Sequence, residues 1–239
     1  MPHILLSRRA YDAYADALAA YGYTAVPLDA DPTLPALNAD HADTLIFRAH
    51  TTLLAAKPLI DSLPEPLRDR FIAADHTPHG SYPGDTALNA LTVGRHLFAR
   101  TASLSADVRR AAAAEGLEIV DVKQGYARCS TLPLSAVNAA ITADEGMARA
   151  MEACGVDVLR ITPGHIDLDG RSDGFIGGAS FVDEPFCCCS LHMPPLVGFF
   201  GSPGSHPDGA RIRAFIESHG YRMLTTDGRL RDLGGAVVI

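Results

Sequence analysis

The chain has 239 residues, 47% hydrophobic and 20% charged, with a formal net charge of −8. That composition fits one globular domain spanning residues 1–239 with ample core, and excludes a disordered chain. The acidic balance, with Lys57 and Lys123 as the only lysines and no Lys/Arg-rich run, argues against nucleic acid or an anionic membrane as partner.

No stretch approaches the ~18 apolar residues of a membrane span, and the run at 3–6 is too short for a signal peptide. Five cysteines, three of them consecutive (Cys187, Cys188, Cys189), do not form the spaced pattern of a disulfide framework. A cytoplasmic protein with reduced thiols is the expectation.

In chain order, residues 3–6 read as a strand and Arg8 to Tyr21 as a helix, with Tyr11, Tyr14, Leu18 and Tyr21 on one face. Thr24 to Leu28 is the next strand, Pro32 to Asp43 a loop, and Thr44 to Arg48 a buried strand. Residues 51–90 are the least regular, with a short helix from Glu65 to Ala73 and a Pro/Gly loop from Asp75 to Gly84. This region has room for a degenerate repeat.

Order returns with a strand at His96–Phe98 and a helix capped by Ser105 and running to Glu115. Strands follow at Ile119–Lys123, Val137–Thr142 and Val156–Ile161. A helix capped by Thr142 or Asp144 lies between the last two, with Met147, Ala150, Met151 and Cys154 on one face. Leu196–Phe200 is a strand, Asp208–His219 a helix, and Tyr221–Leu224 and Gly235–Ile239 are strands.

One motif recurs four times. Helical stretches end at Gly22, Gly116, Gly155 and Gly220, and each glycine is followed at once by a short β-like run. Glycine favours the left-handed conformation that closes a helix, and the apolar or alternating run after it signals a strand. Such repetition points to a pseudo-symmetric α/β body around an axis, not a single open sheet.

Three stretches carry chemistry-bearing residues. Lys123 to Thr131 holds Gln124, Arg128 and Cys129; a cation beside a thiol lowers its pKa, while a polar hairpin with a half-buried Cys129 is the plainer alternative. In Gly164 to Gly170, strand alternation sets His165, Asp167 and Asp169 on one face, an acid/base pairing or a solvated hairpin face. Gly174 to Ser180 lacks the Lys-Ser/Thr ending and following helix of a phosphate loop, so tight packing is its reading.

Asp144 and Glu145 open a helix, where the dipole favours carboxylates and where they could also face a guanidinium. Cys189 and His192 lack a complete ligand set, so no metal is expected, and nothing in the sequence calls for a cofactor.

These segments together resemble the pentein fold of the guanidino-group-modifying enzymes, and most closely an uncharacterised bacterial family with that fold. The resemblance rests on Lys123–Ser130, Ile141–Gly146, Gly155–Leu159 and Gly174–Ser180, and covers most of the chain from Leu91 onward. It implies an α/β propeller of repeated strand–strand–helix–strand units around a pseudo-symmetry axis.

For function it implies an enzyme acting on a guanidine- or amidine-bearing small molecule, of hydrolase or amidinotransferase type. The active relatives use a cysteine near the C-terminus, a histidine in a Gly-His-x-Asp-like segment, and carboxylates that grip the guanidinium. Gly164-His165-Ile166-Asp167 matches the histidine segment, whereas Leu233 to Ile239 keeps the glycines without a cysteine.

Cys129 occupies a similar place in an earlier unit and is the candidate nucleophile, with His165 and Asp167. Gln124, Arg128, Asp144, Glu145 and Asp169 are the candidate substrate contacts. The alternative is a non-catalytic small-molecule-binding or scaffold protein that keeps the fold. Residues following each inner strand are expected to meet at the axis.

Overall fold

The computed structural model describes residues 1–184 and 194–239; the run Cys187–Cys189 and His192, weighed above for zinc, lie outside them. Among the described residues no group of three or more His, Cys, Asp or Glu is placed to hold a metal ion. No described helix is long and apolar enough to cross a membrane.

Fifteen short strands among the described residues form five separate three-stranded sheets with one shared plan. The first sheet comprises β1 (His3–Leu6), β2 (Thr24–Pro27) and β15 (Ala236–Val238). The next two comprise β3 (Ile46–Arg48), β4 (Leu53–Ala56) and β5 (Ile72–Ala74), then β6 (Leu91–Val93), β7 (His96–Ala99) and β8 (Glu118–Asp121). The last two comprise β9 (Thr131–Leu134), β10 (Ala139–Thr142) and β11 (Asp157–Arg160), then β12 (Ser180–Asp183), β13 (Leu196–Phe199) and β14 (Arg222–Thr225).

In every sheet the middle strand pairs antiparallel with an inner strand and parallel with an outer one. A parallel neighbour needs a crossover, which the helices supply. These are α1 (Arg8–Ala20), the short α3 (Lys57–Ser62) and α4 (Glu65–Arg68), α5 (Ala106–Ala114), α6 (Glu145–Ala153) and α7 (Gly209–Ser218); a single turn, α2 (Ala42–Leu45), precedes β3. Inner strands β15, β3, β6, β9 and β12 are almost wholly buried, and the outer strands are the exposed rim.

Local sequence explains the recurrence. Ser7, Ser105 and Asp144 cap α1, α5 and α6 through their side chains, and each helix turns one narrow face inward. The four glycines past α1, α5, α6 and α7 all have φ between +68 and +89, the left-handed turn that leads into the outer strand. The second unit, β3–β4–α3–α4–β5, is the degenerate repeat, in which Asp69 and Arg70 make the turn without a glycine.

Several local expectations change. Helix α4 stops at Arg68, and Ile72–Ala74 is a strand, because Leu54–Ala56 offers it a parallel partner. The inward residues of α1 are Ala10, Tyr14 and Leu18, while Tyr21 is exposed. Val137 belongs to a 3-10 turn that ends at left-handed Asn138, so β10 begins only at Ala139. The segment 164–170 is a turn and not a strand: His165 and Asp169 have positive φ, and Leu168 and Arg171 exchange hydrogen bonds. Strand alternation therefore does not set His165, Asp167 and Asp169 on a common face.

The first sheet is completed by the far end of the sequence, since Ile4, Leu5 and Leu6 pair with Val238, Val237 and Ala236. Within the fifth sheet, Gly198 faces Phe181 across the β12–β13 pair, and a Cβ there would lie 2.1 Å from the ring. That ring is fully buried against Tyr23 and Phe200 and has nowhere to move. Gly198→Ala is expected to lower stability by about 1–3 kcal/mol through overpacking, read as an earlier urea midpoint; an unchanged or later midpoint would contradict this packing.

Candidate functional site at the axis

Polar residues reach the axis from both ends of the inner strands: a ring forms from those that precede them, while Arg48, His50, Ser135 and Glu184, at or just after the ends of β3, β9 and β12, line the cavity below. Asp43, Asn89, Cys129, Gly178 and Gly234 each stand two or three residues ahead of β3, β6, β9, β12 and β15. Hydrogen bonds link the five segments in a closed circuit. The Asp43 N–H donates to Gly234 O (3.0 Å), Gly235 N–H to Gly178 O (2.7 Å), and Gly178 N–H to Cys129 O (3.0 Å). The Arg128 N–H donates to Asn89 Oδ1 (2.8 Å), and Asn89 Nδ2 donates to Asp43 O (2.9 Å), which completes the ring.

Asn89 also donates to Cys129 Sγ at 2.9 Å, so its amide uses both N–H groups and its oxygen. The Cys129 thiol is buried, and burial pushes its pKa well up; the negative charges of Asp43 and Asp232 push it further, against the Asn89 hydrogen bond. A neutral thiol is a poor nucleophile. Arg128, whose guanidinium donates to Thr131 O and Gly177 O at 3.3 and 3.4 Å, is within the field of Cys129 but does not reverse this against burial and the two carboxylates.

Asp232 is the hub of the ring's outer layer. Its carboxylate accepts from Phe175 N–H (2.8 Å) and Gly234 N–H (3.1 Å), and a Cβ on Gly178 would lie 2.0 Å from Oδ1. Burial raises its pKa to about 6, with Asp43 adding to the rise and His41 opposing it.

Below this ring runs an axial cavity of 280 Å³, whose wall includes Ile46, Leu91, Pro133, Val182 and Val237, one residue from each inner strand or its end. Its charged lining is Asp43, Arg48, Arg128 and Glu184. Burial lowers the pKa of both arginines, that of Arg48 to about 10; Glu184 and Asp183 oppose the lowering at Arg48 and Arg128 adds to it, while Asp43 and Glu184 oppose it at Arg128. Arg48 Nη1 donates to Val238 O at 2.5 Å. Burial raises the pKa of Glu184, which the Tyr221 hydroxyl, the Ala136 N–H and Arg48 oppose. Asp43 Oδ2 is buried without a donor.

The residues singled out from sequence distribute as follows. Arg128 lines the axial cavity, and Cys129 sits in the ring above it. Gln124 donates to Asp144 at 2.8 Å, and Asp144 borders a second, lateral cavity. His165 is exposed, with its ring 5.6 Å from that of His206, and no described hydrogen bond or ring contact joins it to Cys129.

Asp167 takes the Gly170 N–H (3.1 Å) and lies 3.8 Å from Arg231. Asp169 pairs with Arg9, and Glu145 pairs with Arg160 and Arg149 on the surface. Arg48, Glu184, Asn89 and Asp232 were not found by reading the sequence. Their common signal is a place shortly before an inner strand (Asn89, Asp232) or at its far end (Arg48, Glu184), visible only once those strands are placed.

The model of a family of unknown function, DUF6873, matches residues 5–237. The chain belongs to this family. No curated protein matches it. Among solved structures it is similar to DDAH from Pseudomonas aeruginosa, seen as a cysteine-to-serine mutant complexed with citrulline. The two are 12% identical with a TM-score of 0.50, over 99% of this chain and 98% of that one. This likeness, with the five repeated sheets, shows the pentein α/β propeller fold that the sequence resemblance implied.

The raised pKa of Asp232 has a pH signature. A carboxyl whose folded pKa lies above its unfolded value stabilises the fold fully below pH ~4, and this is lost as pH rises through about 6. The contribution is up to ~3 kcal/mol. Urea midpoints are expected to fall between pH 4 and 7 on this account, and Asp232→Asn is expected to flatten that slope. An identical slope in the variant would remove Asp232 as its source.

Proposed function

We propose that this protein binds a small molecule in its axial cavity, and that the ligand carries a carboxylate or similar planar anion held by Arg48 and Arg128. The observation that carries this reading is the two guanidinium groups, from different repeats, on one cavity wall and within each other's field. Burial disfavours the ionised form of both arginines; Glu184 and Asp183 near Arg48, and Asp43 and Glu184 near Arg128, oppose this, and a ligand anion between the guanidiniums would oppose it further. Guanidinium presents paired N–H donors that match a carboxylate, which gives orientation as well as affinity.

Glu184 and the unmet Oδ2 of Asp43 lie in the same lining and accept from donors elsewhere on the ligand. The preferred ligand is thus small, polar and amphoteric. Citrulline, bound by the DDAH structure, is a molecule of this kind.

The surroundings of Cys129 favour binding over nucleophilic attack on a guanidine or amidine carbon. Its neighbours are an amide and two carboxylates, and neither cavity's lining includes it. The binding reading is therefore preferred to the hydrolase or amidinotransferase reading. Arg128→Met keeps much of the side chain's volume and removes the charge.

Calorimetric titration with amino acids (citrulline and arginine among them), dicarboxylates and agmatine separates the readings. Carboxylate-bearing compounds are expected to bind saturably without turnover, Arg128→Met to weaken them at least ~10-fold, a loss of ~1.4 kcal/mol, and Cys129→Ala to bind as the unaltered protein does. Preferential binding of agmatine, which has no carboxylate, or turnover abolished by Cys129→Ala, would defeat the proposal.

A further inference from the structure

The second cavity, 350 Å³, lies beside the axis where three of the segments marked out by sequence meet. Ser130 follows Cys129, Asp144 opens α6, and residues 161–176 form the remaining wall. The cavity is bordered by apolar Ile161, Pro163 and Phe175 and by the carboxylates Asp144 and Asp173; no Lys, Arg or His is in its lining.

Asp173 lies 3.5 Å from Arg171 on the surface, whereas Asp144 has no ion-pair partner among the described residues. Its two oxygens are instead fixed by neutral donors, Oδ1 by the Met147 N–H and Oδ2 by Gln124 Nε2, each at 2.8 Å. The carboxylate is thus held rigidly on a cavity wall, with only the helix N-terminus as counter-charge, next to an apolar surface. A rigid charge needs little reorganisation when a ligand arrives, and an apolar wall with few polar groups is the usual make-up of a small-molecule site.

We infer that the lateral cavity is a second binding site, distinct from the axial one, for a primary ammonium on a short apolar stem. The ammonium pairs with Asp144, and the stem lies on Ile161 and Phe175. The existing hydrogen bonds decide between cation types. With one lone pair of each oxygen already taken, a guanidinium fork has to claim both that remain, together and in the carboxylate plane. A compact ammonium needs only one remaining lone pair.

The test is a titration of the full chain with n-butylammonium, n-butylguanidinium and neutral n-pentanol, read by calorimetry and by amide chemical-shift changes. The expected result is saturable n-butylammonium binding, tighter than n-butylguanidinium or n-pentanol, with shifts at Gly164–Gly174. Asp144→Asn preserves the helix cap, since Asn caps as well as Asp, and is expected to weaken n-butylammonium at least ~10-fold.

Ser172→Lys, at an exposed lining position, is expected to do the same by repulsion. Arg128→Met is expected to leave n-butylammonium binding intact, which separates this site from the axial one. Equal affinity in the unaltered, Asp144→Asn and Ser172→Lys proteins, or shifts confined to the axial strands, would overturn the inference.

Discussion

The circuit of hydrogen bonds that joins Asp43, Asn89, Cys129, Gly178 and Gly234 is the constraint on which the rest of the molecule hangs. Five three-stranded sheets of this size are marginal by themselves. Each has an inner edge with backbone groups that need partners, and burying an unmet N–H or C=O costs on the order of 1–3 kcal/mol. Joining the ends of the inner strands to one another meets part of that need and fixes the spacing of the sheets. The cavity below has its width because the ring above it cannot open without breaking several bonds together.

The ring also explains the distribution of glycine and charge. Gly177 lies against the carbonyls of Arg128, Cys129 and Thr131, where a Cβ would sit 2.3–2.6 Å away. Gly178 and Gly234 similarly press against Asp232 and His41. Such close backbone approach brings Asp43 and Asp232 into the field of one thiol and fixes that thiol's protonation. Charge lower on the axis is of both signs, Asp43 and Glu184 beside Arg48 and Arg128. The two cavities differ in their charged lining, with two arginines and two carboxylates on the axis and carboxylates alone at the side.

What was legible in the sequence was whatever the chain signals locally. Caps at Ser105 and Asp144 and the glycines at 22, 116, 155 and 220 mark helix ends by backbone chemistry alone, and they give the repeat. Inner strands β6, β9 and β12 carry no such mark. Leu91–Val93 is buried on all sides and shows no alternation, and Pro133 inside β9 reads as a breaker. It is tolerated because β9 is the edge strand of its sheet, where a missing N–H need not break the ladder.

The site followed the same rule. Cys129 and Arg128 drew attention through their chemistry, whereas Asn89 and Asp232 are ordinary polar residues whose roles come from tertiary closure. His165 misled because a left-handed residue in a tight turn does not obey strand alternation.

The origin of β15 has a further consequence for how the molecule is made. Strand β1 is made long before its inner partner, which consists of residues 236–238. The second to fifth units can each assemble from contiguous chain, so four sheets can form while the first still lacks its inner strand. During that interval Ile4–Leu6 presents an unpaired apolar edge, the kind of edge that recruits other chains. The arrival of residues 236–238 thus both seals the propeller and covers that edge, and growing chains would call for protection at β1 until those residues emerge.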